Sequence, residues 1–303
     1  MIVPKSPQIR RMVQYIGKPL LLMALYDFVI VVAYKGMHWE WVAFPHVPLA
    51  LYGSAIGVIL SFRNNSAYGR WWEARTLWGA IVNNSRSLAR QVLTGMRAKD
   101  EDQAELAQTQ RRIVYLQIAF VQALRQHLRG LDVLGAVTSL LGEEDLLALR
   151  GQKNVPMAIQ GQIGTLIQQS EARGWINPLQ WQALDHSLND LGDAQGGAER
   201  IKNTPMPKQY DYYPQLFVQI YCALLPLAMV TNLGWFTPLG STLVAFIFLA
   251  LDKIGRDLED PFDNTVFDVP LTAITTTIET NLRQMLGETV IPDAEKPIMG
   301  VLW

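Results

Sequence analysis

The 303-residue chain holds few side chains from which chemistry could be built, and their spacing argues against most of it. His38, His46, His127 and His186 are scattered without ligand spacing, so they read as ordinary surface or interface residues rather than metal ligands. The single cysteine, Cys222, lies inside an apolar run, which excludes a disulfide framework and a cysteine metal site. Glu143, Glu144 and Asp145 read as a solvated helix start, where acids favour the helix dipole. Glu259, Asp260, Asp263 and Asp268, in "EDPFDNTVFD", form a weak, dispersed acidic cluster and read as turn caps, with no metal assigned. Glycine-rich phosphate loops, His-Glu-x-x-His, Cys-x-x-Cys and serine-nucleophile signatures are absent. No reaction and no cofactor are expected. Asp27 stands apart: a carboxylate in the middle of an apolar run either bonds to another helix or marks an ion path.

The elements that would carry these residues are those of a membrane protein. With 26 Lys+Arg against 27 Asp+Glu, the chain lacks the charge excess that would attract nucleic acid. Charged residues make up 17%, below the ~25% usual in soluble domains. Four apolar segments occur in two pairs, at 19–34, 47–62, 216–230 and 235–251, each near or below the ~18–20 residues that span a bilayer. Lys5, Arg10, Arg11 and Lys18 precede the first segment. Arg63, Arg70, Arg75, Arg86, Arg90, Arg97 and Lys99 follow the second, and Lys253 and Arg256 the fourth. The outer connections carry only Lys35, so the positive-inside rule gives two membrane hairpins with both termini cytoplasmic. Trp39, Trp41 and Trp235 sit where an aromatic belt would place them. The first segment is unlike a signal peptide, because Asp27 interrupts it and no small-residue cleavage site follows.

Between the pairs the chain is polar and helix-rich. Apolar residues recur at three and four over 103–129 and 179–191, as in "IVYLQIAFVQAL" from Ile113 to Leu124, which predicts amphipathic helices. Gly142, Gly151, Pro156, Gly174 and Pro178 break the region into pieces. The expected divisions are 1–99 for the first membrane pair, 100–212 for a cytoplasmic helical region, 213–255 for the second pair and 256–303 for a cytoplasmic helix and tail.

The stretch "LSFRNNSAYGRWW", from Leu60 to Trp72, ends an apolar run with no helix stop. Its "GRWWEAR", followed in order by "ERIKNTPMPKQY" (from Glu199), "GWFTPL" (from Gly234) and "DKIGRDLEDPFDN" (from Asp252), resembles bestrophins, particularly their bacterial branch. The resemblance runs from about Pro4 to Leu286. It implies an all-α integral membrane protein, with four transmembrane helices per subunit and a cytoplasmic helical domain, assembled as a pentamer around an axial pore. In that family the second membrane helix lines a narrow neck and continues into the cytoplasm, so its arginine and tryptophans need not meet lipid.

Alignment on "GRWW" puts the neck on Ser54, Val58 and Phe62, with Ala55 and Ile59 as the alternative register. Without the family, these apolar residues read as packing against other helices. A lower constriction, at "INPL", falls on Ile176 or Leu179. The neck "SAIGVILSF" departs from the animal sequences, with Ala55, Gly57 and Ser61 in place of proline, serine and glycine, and the animal proteins' acidic calcium-binding run is missing. The resemblance therefore implies a homopentameric channel for monovalent ions in the bacterial inner membrane. Chloride is the family's ion, and cation selectivity stays open. A secondary transporter and a non-conducting membrane scaffold fit the missing chemistry as well.

Overall fold

A computed structural model describes residues 1–2 and 9–303, with side chains for residues 1–2 and 15–303. Lys5 and the side chains of Arg10 and Arg11 therefore lie outside the described residues. Among the described residues ten α-helices follow one another: α1 Ile9–Val31, α2 Leu49–Gly95, α3 Gln103–Arg129, α4 Val133–Val137, α5 Glu143–Leu149, α6 Val155–Ala172, α7 Pro178–Asn203, α8 Lys208–Leu233, α9 Thr237–Glu259 and α10 Leu271–Met285. Strands are absent among the described residues, where only isolated bridges such as Ile2 to Val301 occur. The chain divides into two units, one of residues 4–70 and 205–259, the other of residues 1–3, 71–204 and 260–303. The first division falls inside α2, earlier than the boundary expected at 99, because from Ala74 onward α2 buries its apolar face in the second unit's core.

The first unit gathers α1, the first half of α2, α8 and α9. Its small core joins Ile56 and Leu60 of α2 to Val218, Tyr221, Cys222 and Leu225 of α8 and Ala245 of α9. Outside it the apolar residues are bare: Leu21, Leu22, Leu25, Phe28 and Val29 on α1, and Leu239, Leu243 and Ile247 on α9. Such a face suits surroundings as apolar as itself. Residues 15–36 and 208–259 are long and apolar enough to cross a membrane; α2 does not meet that measure, since its apolar start runs on into Arg63 and two asparagines. The "GWFTPL" stretch makes the turn between α8 and α9. Gly234 takes φ 54°, and Thr237 closes the turn by donating Oγ1 to the Gly234 carbonyl at 2.6 Å.

In the second unit α3 is the central helix, buried along almost the whole of Ile113 to Leu124. Gly130 ends it at φ 66°. A capping box of Asn177 with Gln180, followed by Pro178, starts α7. This helix runs well past the expected 191, through Gly192, Gly196 and Gly197. The last of these packs so closely that a Cβ would come within 2.8 Å of Leu77. The acidic triplet does open a helix, α5, but Asp145 is not solvated: it is buried and takes two bonds from the Arg112 guanidinium, at 2.7 and 3.2 Å.

Candidate pore helix

Helix α2 is 47 residues long, about 70 Å at ~1.5 Å per residue, and holds no proline. In the first unit its two faces differ sharply. Ile56, Leu60, Arg63 and Ala67, spaced four, three and four apart, are buried. Ser54, Val58 and Phe62 lie on the opposite face and are exposed, Val58 to 56% and Phe62 to 67%. Ala55 and Ile59 flank that stripe and are also exposed. Polar groups here are satisfied within the helix, Ser54 donating to the Ala50 carbonyl and Ser66 to that of Phe62. The bare stripe is thus one serine and two apolar side chains on a helix without proline.

The buried face carries a charge that sequence reasoning counted only among the cytoplasmic flanks. Arg63, 1% exposed, donates Nη1 to the Asp252 carbonyl at 2.8 Å and to its carboxylate at 3.2 Å. Its Nη2 meets Asp211 of α8 at 2.5 Å, with Glu259 at 3.9 Å. Asn64 donates to the Leu251 carbonyl, and Arg70 to that of Glu259, the last residue of α9. Gly255 makes this approach possible, since a Cβ there would lie 2.2 Å from Asn64 Oδ1 and 3.1 Å from Arg63 Nη1. The signal was present in the sequence: Arg63 falls on the same helical face as Ile56 and Leu60.

Asp27 is fully buried, accepting from Ser241 at 2.5 Å and Thr242 at 3.0 Å, both on α9. In this structure it is a helix-to-helix tie. Of the two residues expected at a lower constriction, Ile176 is buried in the second unit's core, whereas Leu179, in the first turn of α7, is 77% exposed. Ile176 therefore has no bare surface to offer a constriction, because it fills the core beside Trp175.

The acids after α9 do not converge. Asp263 pairs with Lys202 at 2.6 Å, and buried Asp268 accepts from the backbone and hydroxyl of Thr265. Among the described residues no three metal-ligating side chains come together. Of the histidines, His127 lies 3.6 Å from Glu199 and His186 lies 4.0 Å from Asp190, while His38 and His46 are exposed.

Comparison with known proteins adds four findings. A family model described as bacterial/fungal bestrophin protein matches residues 9–284. A voltage-dependent anion channel-forming protein of Nostoc sp. is 36% identical, over 75% of this chain and 73% of that protein. YneE of Salmonella typhi, which carries the same description, is 34% identical, over 92% and 89%. The crystal structure of a bacterial bestrophin homologue from Klebsiella pneumoniae superposes with a TM-score of 0.83 at 32% identity, covering 91% of this chain and all of that one.

Proposed function

From the chain's membership of the bacterial and fungal bestrophin family, we propose that it is a pentameric, non-enzymatic channel for monovalent ions, conducting anions through an axial pore lined by α2. The observation that carries this reading is the bare stripe of Ser54, Val58 and Phe62, set opposite a buried and charge-clamped face on an unbroken helix. A helix that packed on all sides within one subunit would not leave a phenylalanine two-thirds exposed beside a fully buried leucine. Five copies turning this stripe toward a common axis would form a hydrophobic neck, which resists ions until it wets or they shed part of their hydration. Leu179 would form the lower constriction from the start of α7. The bare apolar faces of α1 and α9 would meet lipid, four helices of each copy would cross the bacterial inner membrane, and both termini would lie in the cytoplasm.

The anion preference follows the description of the relatives as anion channel-forming proteins. The purified protein in a planar bilayer under an asymmetric chloride gradient should show discrete current steps that reverse near the chloride equilibrium potential. Reversal near the cation potential would overturn the ion's sign. Slow coupled flux without steps would favour a transporter, and electrical silence a scaffold.

A further inference from the structure

The geometry points to Arg63 as the residue that positions the neck, by fixing the rotation of α2 against α8 and α9; this rests on the pore reading above. Ser54, Val58 and Phe62 lie about 170° around the helix from Ile56, Leu60, Arg63 and Ala67, at ~100° per residue. Whatever holds the second set holds the first. Ile56 and Leu60 alone are a weak rotational lock, because lipid is as apolar as the partner helix and sliding by a fraction of a turn exchanges one apolar contact for another.

Arg63 is different. Its planar fork must satisfy a carbonyl and a carboxylate of Asp252 with one nitrogen and Asp211 with the other, so one rotation and one height of α2 serve all of them. A turn of α2 would leave a fully buried guanidinium without its acceptors, which is far costlier than an apolar slip. Asn64 and Arg70, donating to the α9 carbonyls of Leu251 and Glu259, brace the same face, and Gly255 supplies the close approach. Arg63 sits next to Phe62 in sequence, yet its partners are 148 and 189 residues away. It acts through α2 and touches no ion.

Cysteine accessibility tests this, since Cys222, the chain's single cysteine, is buried. Val58→Cys should react with a water-soluble methanethiosulfonate reagent in reconstituted pentamers and change the current. Adding Arg63→Gln should slow that reaction about tenfold, the scale of one lost charge-assisted bond, while Ile59→Cys becomes more reactive. Arg63→Lys, which keeps the charge but not the fork, should fall between. Equal rates for Val58→Cys with and without Arg63→Gln, in pentamers of normal size, would overturn the positioning role. An unreactive Val58→Cys in the otherwise unaltered protein would instead overturn the pore reading itself. Should Arg63→Gln not assemble, Asp252→Asn, which keeps the carbonyl acceptor and Asp211, replaces it. Failure of both to assemble would show that Arg63 only stabilises, and would also reject the inference.

Discussion

Val58 and Phe62 decide the pore reading at the scale of single residues. If they line a neck, replacing both with alanine widens it and removes apolar surface that resists wetting, at the loss of few contacts within the subunit. We expect conductance or open probability to rise several-fold, with the assembly unchanged on size-exclusion chromatography. Were they core residues, the larger truncation alone would cost ~2–5 kcal/mol. Asp268 gives a pH-dependent prediction. Burial holds its carboxyl above the ordinary carboxylate range, and hydrogen bonds from Thr265 oppose this only in part. A raised folded-state pKa means that this contribution to stability is fully present below the ordinary value of ~3.9 and is lost as pH rises through the raised one. Asp268→Asn should therefore flatten the fall in thermal midpoint as pH rises above the ordinary carboxylate value of ~3.9, measured in detergent on both proteins.

At the scale of elements, α3 organises the second unit because its apolar residues surround the helix rather than forming a narrow stripe. Short α5 is held to it by Arg112 and Asp145. Removing Arg112 strands a buried carboxylate, whereas Glu144, its other partner, is 86% exposed. Arg112→Ala should cost ~1–3 kcal/mol of stability, and Glu144→Ala no more than ~0.5 kcal/mol. Thermal or denaturant unfolding of the two variants side by side checks the contrast. Similar losses would mean that the pair contributes as a surface bridge only. Helix α2 links this scale to the next: its continuity without proline lets one element carry both the proposed neck and a face of the second unit's core.

For the whole molecule, one copy cannot enclose an axial pore with a single bare stripe. A closed ring of identical subunits is the economical way to surround an axis. Native mass measurement in mild detergent should give five copies. Monomers or dimers there would count against conduction through an axis, whatever the single-residue variants do.

What the sequence determined by itself is what neighbours along the chain control. The apolar run "IVYLQIAFVQAL" marked α3, Gly174 and Pro178 marked the break before α7, and four ordered motifs pointed to the family. Helix propensity, caps and turns act within a few residues, so they are legible without a fold. Residue chemistry left open which side of α2 is bare, because an apolar helix has no polar face to betray its outward direction; only the resemblance chose Ser54, Val58 and Phe62, the side that is exposed in the folded chain. The tertiary structure alone decided the partners of charge. Asp27 finds Ser241 at a separation of 214 residues, Arg63 finds Asp211 and Asp252, and Asp145, written as though for solvent, is buried under Arg112. It buried Ile176 and left Leu179, three residues on, outside. A charge in a low-dielectric interior selects its partner by distance in space, and no spacing within one stretch of chain encodes that distance.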